Sequence, residues 1–199
     1  MSGAGWRRAL LCGAALGGLA ACSPVKETWV RPDYKQVDRT KTLRISVVTA
    51  PAPAGEAKLG ELWSALARTY INQHRDFIVV EDYTDQAVPA DVCDGNLEGF
   101  LHFTPTVKAR AGGAAAALEA VLVRCHDREP VWRASAAGDW DSDDDDLDEA
   151  KRHWTGRFGD GIAAWVVPSY RLITGTCEAL PEPELPTEAY IREKIQLGE

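Results

Sequence analysis

The groups in this sequence able to do chemistry are five thiols, four imidazoles and a dense run of carboxylates, and their spacing decides what each set can do. His74, His102, His126 and His153 fall in different segments, and none belongs to an H-E-x-x-H or comparable arrangement that would hold zinc beside a general base. Cys125-His126 is adjacent but alone, and there is no C-x-x-C to complete the three or four ligands that zinc needs. No G-x-S-x-G surrounds Ser46, Ser64 or Ser135, and Gly156, Gly159 and Gly161 follow no strand and do not match a phosphate-binding loop. Asp139, Asp141, Asp143 and Asp145 alternate as calcium ligands do, but a loop starting at Asp139 requires glycine where Asp144 stands and a bidentate acid where Ala150 stands. The same acids precede a helical stripe of Leu147, Ala150, Trp154, Phe158, Ile162 and Trp165, so they read as the negative start of a helix. The sequence thus assigns no catalytic residue, no metal ligand and no cofactor-binding residue. The chemistry it does assign rests on Cys22.

Residues 1–21 carry the three parts of an export signal: a basic start with Arg7 and Arg8, an apolar stretch from Ala9 to Ala21, and small residues before a cleavage point. The apolar stretch is 13 residues long, whereas a helix crossing the hydrocarbon core takes about 20. Gly13, Gly17 and Gly18 dilute it further, so a permanent transmembrane helix is not expected. Leu19-Ala20-Ala21-Cys22 resembles the bacterial lipoprotein signal. That resemblance implies removal of the peptide before Cys22 and attachment of a diacylglyceryl group to its thiol through a thioether. Cys12 is a poor competitor, because Leu11 stands immediately before it where a small residue is needed. Each buried methylene contributes about 0.8 kcal/mol and one chain anchors only marginally, so two or three chains on Cys22 would hold the protein durably on a bilayer. Ser23 in the next position resembles an outer-membrane address, with the protein facing the periplasm.

Without Arg7 and Arg8 the chain keeps 20 basic residues against 30 acidic ones. Phosphate binding needs a basic face, so nucleic acid is not an expected partner. The length suits one domain. If Cys22 is consumed by lipidation, Cys93, Cys125 and Cys177 remain, which an oxidising periplasm permits to form one disulfide and leave one free thiol. The sequence does not choose the pair, and Cys125, inside an apolar run, also reads as a small buried residue.

The elements that would position these groups follow from periodicity. Ser23 to Lys41 mixes charges with Pro24 and Pro32 and shows no sustained period, so residues 22–41 read as a lipidated tether with a reach of roughly 60 Å at about 3.3 Å per residue. Trp29 and Tyr34 within it read as packing on the domain or resting at the lipid surface, with recognition anchors as the alternative. Leu43, Ile45 and Val47 alternate as a strand. Leu59, Leu62, Trp63, Leu66, Tyr70 and Ile71 recur at helical spacing over 56–74, and Phe77 to Glu81 is a second strand. Such a β-α-β unit implies parallel neighbours with a right-handed crossover. Leu97–Val107, Ala115–Cys125 and Pro130–Trp140 are extended runs joined by Gly112-Gly113 and by His126-Asp127-Arg128-Glu129, which reads as an antiparallel meander. The helical stripe from Leu147 is weakened by Gly156, Gly159 and Gly161. A break there leaves open that Ile162 to Val167 is a strand ending at Pro168. Pro181, Pro183 and Pro186 spell an extended tail over 176–199, with a short helix expected at Thr187 to Leu197. The expected fold class is α/β (α+β): one domain over 42–175, with a mixed sheet, a β-α-β opening, an antiparallel meander and helices packed on the sheet.

Arg44-Ile45-Ser46-Val47-Val48, Leu62 to Tyr70 running into Phe77-Ile78-Val79-Val80-Glu81-Asp82, and Leu122-Val123-Arg124 with Val131-Trp132-Arg133 resemble bacterial envelope lipoproteins similar to the TolB amino-terminal domain. That group includes the curli secretion lipoprotein, the activator of penicillin-binding proteins and flagellar outer-membrane lipoproteins. The resemblance spans roughly residues 42–168 and implies binding and assembly, with no catalytic residues to carry over. Little length is left for the insertions from which the curli lipoprotein builds a pore. The resemblance implies a non-catalytic adaptor or activator, held on the outer membrane through acyl chains on Cys22 and binding a protein partner in the envelope. The alternatives are an accessory lipoprotein of a lipid or ABC-type transport system, and a structural envelope protein.

Overall fold

Alternating apolar residues in the strands and an apolar stripe on each long helix can be buried together only by laying the helices on one face of a sheet. The computed structural model, which describes residues 23–52, 58–185 and 187–188, has this arrangement. In chain order the elements are β1 (Val25–Val30), α1 (Tyr34–Val37), β2 (Arg44–Thr49), α2 (Leu59–His74), β3 (Ile78–Tyr83), β4 (Gly99–Arg110), β5 (Gly113–Arg124), β6 (Pro130–Asp141), α3 (Asp148–Phe158) and α4 (Ala163–Glu178). The strands form one mixed sheet in the order β1-β6-β5-β4-β2-β3. β2 runs parallel to both β3 and β4, and the other pairs are antiparallel. This is the expected single α/β domain, with its β-α-β opening and its three-strand meander.

The helix-bearing face carries Ile45, Val47, Leu101, Phe103, Leu118, Leu122 and Trp132, packed against Leu62, Trp63 and Leu66 of α2 and Val166, Leu172 and Ile173 of α4. Because side chains alternate along a strand, the opposite face presents the row Trp29, Arg133, Val121, His102 and Val48 across five strands. At one end of that face the 84–98 loop closes a smaller core of Val48, Val92 and Phe100. A Cys93–Cys125 disulfide pins that loop, so Cys125 is a bridge residue rather than merely a small buried one. Cys177 is the free thiol among the described cysteines, and it is buried.

Three expectations need correction. The segment read as a tether is structured: residues 25–30 form edge strand β1 on β6, and Tyr34 in α1 is buried. A lone edge strand has one face half open and one side unpaired, so its residues need not alternate in polarity, and period reading misses it. Secondly, of the two readings left open for Ile162 to Val167 the helical one holds and the strand alternative does not. The break falls at Gly159, whose φ of 92° suits glycine, and the chain then passes through a short 3₁₀ turn into α4. Pro168 does not end α4. Its lost amide bond is offset by the surrounding burial of Val166, Val167, Leu172 and Ile173, and Ser169 accepts a hydrogen bond from Trp63 Nε1 at 2.8 Å. Thirdly, the domain does not close at residue 175, because α4 runs to Glu178 with Cys177 and then Leu180 buried. The leader, Cys22 and residues 189–197 of the expected closing helix lie outside the described residues.

Candidate interaction surfaces

The described chain begins at Ser23, one residue after Cys22, and is fixed at once. The Ser23 Oγ accepts from the Val25 amide at 3.3 Å, and the Ala137 amide donates to the Pro24 carbonyl at 2.9 Å. Pro24 is buried on α4 at Gly175, where an added Cβ would lie 2.5 Å from the proline ring. Further along, the Arg31 amide donates to the Val131 carbonyl at 2.9 Å, so β1 is held at both ends. Cys22 is therefore two residues from a packed proline, a span of about 7 Å. Trp29 lies on the helix-free face with the Arg133 guanidinium 5.8 Å from its ring centre, and it is 44% exposed.

A second surface is the groove between α2, α3 and α4, lined by Tyr70, His74, Glu149, His153, Trp154 and Tyr170 with a volume of about 370 Å³. Tyr70 and His74 are one turn apart with ring centres 4.7 Å apart and planes tilted by 41°, and His153 meets Trp154 edge-on at 4.8 Å. Tyr70 donates to the Glu178 carboxylate, and loss of water contact together with that bond pushes its hydroxyl up to about 12. Two of the four histidines thus share a groove although they are far apart in sequence. The legible signal was the Tyr70-His74 spacing of four on α2. His102 sits on the sheet face with its Nε2 buried and unpartnered, and burial lowers its affinity for a proton.

A third cluster joins the start of the domain to the meander. Asp38 is buried and accepts from Arg124 of β5, which also holds Asp127, while Glu98 Oε2 accepts from the Leu43 and Arg44 amides at 2.6 and 3.0 Å. The Arg124 guanidinium holds Asp127 down to about 2. No sequence pattern pairs Asp38 with Arg124, which are 86 residues apart. Only the later part of the acidic run behaves as helix-start chemistry: Asp144 accepts from the Asp146 amide at 3.1 Å and binds Arg171, which keeps its carboxyl below the ordinary range. Asp139 and Asp141, read with it as a helix start, lie instead in β6 and pair with Arg110 of β4. Of the serines weighed as nucleophiles, Ser64 has a structural task, and Ser46 Oγ is buried without a hydrogen-bond partner among the described residues. Ser64 and Thr49 share a 2.7 Å hydrogen bond, and burial pushes the Cys177 thiol well up.

No protein-family model and no curated protein matches this chain. Among solved structures it is similar to a PelC dodecamer from Paraburkholderia phytofirmans, at 13% identity and a TM-score of 0.49, covering 78% of this chain and 97% of that one. It is also similar to a singly substituted PelC dodecamer from the same organism, at 12% identity and a TM-score of 0.46, covering 74% and 89%. Neither likeness bears on function.

Proposed function

We propose that this chain is an envelope lipoprotein, acylated on Cys22, anchored in the bacterial outer membrane and facing the periplasm, where the folded domain binds a protein partner without catalysing a reaction. The observation that carries this reading is the junction of leader and fold. A lipoprotein-type cleavage site ends at Cys22, and an edge strand hydrogen-bonded to β6 starts at Val25. Acyl chains on Cys22 would therefore attach to the sheet itself and hold the domain within about 7 Å of the lipid surface, in place of a long flexible tether. The Cys93–Cys125 disulfide supports an exported, oxidising setting. The structural employment of Ser64, Ser169 and Cys177 supports binding over catalysis.

The test combines fractionation with crosslinking in cells. The native chain is expected with the outer membrane, and the Cys22→Ala chain outside that fraction. Photocrosslinkers placed along the α2–α3–α4 groove are expected to capture one protein reproducibly. A Cys22→Ala chain that still fractionates with the outer membrane contradicts the anchoring, and capture of no protein contradicts the binding role.

A further inference from the structure

Trp29 and Val30 are the exposed large hydrophobic residues among the described ones, at 44% and 42%, and they are neighbours on edge strand β1. Their surroundings differ in charge from the rest of the molecule. Residues 23–44 hold six basic and three acidic side chains, whereas residues 45–199 hold fourteen basic and twenty-seven acidic ones. On the edge itself Lys26 and Lys35 are exposed and Arg133 covers the Trp29 ring. Val30, Pro32 and Tyr34 line a hollow with Arg31, Lys35, Arg39 and Glu182, in which Arg31 is paired with Asp33 and Arg39 with Glu184 while Lys35 is exposed. An exposed tryptophan beside an aliphatic residue and several cations is the composition that settles at the headgroup level of an anionic bilayer.

The edge is poorly suited to another strand. Its register shifts between Val25 and Glu27, prolines stand on either side at 24 and 32, and Lys26 lies on it. A bulge, flanking prolines and an edge lysine are the devices that block strand addition. Its position favours a lipid surface instead. β1 begins three residues after Cys22, and Trp29 is about 17 Å along the strand from Pro24. Trp29 and Val30 leave the strand on opposite faces, beside Arg133 and Trp132, so it is the strand resting on its unpaired side, edge-on to the bilayer, that sets both at the lipid surface.

We propose that the β1–α1 edge is the face on which the domain rests against an anionic phospholipid bilayer, with Trp29 and Val30 at the headgroup level and Lys26, Lys35 and Arg133 directed to lipid phosphates. This rests on acylation of Cys22. It adds that the domain has a fixed orientation, with the α2–α3–α4 groove turned to the periplasm.

The acylated chain is purified from membranes with fluorinated tryptophan and reconstituted in vesicles of phosphatidylethanolamine and phosphatidylglycerol containing a headgroup nitroxide lipid. The Trp29 fluorine signal, identified by its loss in Trp29→Phe, is expected to broaden away while that of Trp154 in α3 persists. The double substitution Lys26→Glu with Lys35→Glu is expected to restore the Trp29 signal while the chain still sediments with the vesicles. A sharp Trp29 signal on a vesicle-bound chain overturns the orientation and leaves the anchoring intact. So does broadening that ignores the nitroxide and follows protein density, which would indicate a second copy on the edge. Broadening that survives the double substitution overturns the role of the cations. A chain that does not sediment with vesicles overturns the anchoring, and this proposal with it.

Discussion

Gly175 shows how a single missing methyl group sets the start of the fold, because its bare Cα leaves the space that the Pro24 ring fills. Alanine at a helix-interior glycine ordinarily gains about 1 kcal/mol, but here the added carbon meets a rigid ring at 2.5 Å, and overpacking costs about 1–3 kcal/mol. Gly175→Ala is therefore expected to lower stability by up to about 2 kcal/mol in urea titration. Gly156→Ala in α3, where an added Cβ meets nothing within 4 Å, is expected to raise it by about 1 kcal/mol. Arg124→Ala removes the hydrogen-bonded partner of the Asp38 carboxylate, whose side chain is 1% exposed, and leaves it, among the described residues, only Arg31 Nε at 4.0 Å, so it is expected to cost about 3 kcal/mol. Tyr70 gives a pH signature. Its folded hydroxyl is raised from 10 to about 12, so its contribution is complete below pH 10 and is lost as pH climbs through 12. In Tyr70→Phe, the decline of stability measured by denaturant titration across that window is expected to be shallower. At this scale the sequence was most informative about local chemistry. The role of the acids around Asp144 was legible because a helix start needs only neighbours. The Asp38–Arg124 pair was not, since only the folded sheet brings residues of distant segments together.

Elements with strong periods were readable and elements held by their neighbours were not. β2, α2, β3 and the meander follow from alternation or helical spacing, and each lies within a few residues of its expected bounds. β1 has no such signature, because β6 supplies its partner and its outer side remains unpaired. α4 defeated the usual reading of proline as a stop, since tertiary burial outweighs one lost backbone bond at Pro168. The disulfide was present in the sequence only as an odd count of thiols; its choice of Cys93 and Cys125 depends on the 84–98 loop crossing to the end of β5. That bridge closes a loop with a sequence separation of 32. Replacing both cysteines by alanine is expected to cost about 3–4 kcal/mol, measured by urea unfolding of the two proteins without reductant. Thiol titration provides an independent check: Cys177 is expected to react only after unfolding, because it is fully buried.

For the whole molecule, the consequence is geometric. With β1 in the sheet, acylation of Cys22 as proposed would set the distance between domain and membrane and, through the Trp29 edge, the proposed orientation. In the proposed orientation the basic start, residues 23–44, is the part turned toward lipid phosphates, and it is set apart in charge from the more acidic remainder of the sequence. This division was visible in the charges, but its meaning depended on knowing that residues 25–30 lie on the outer edge of the sheet. The central claim is that acylated Cys22 is the first residue of the mature chain. Intact-mass spectrometry of the protein extracted from membranes tests it most directly. The account predicts a chain that begins at Cys22 and carries a thioether-linked diacylglyceryl group. A mature chain beginning elsewhere, or an unmodified Cys22 thiol, would contradict it.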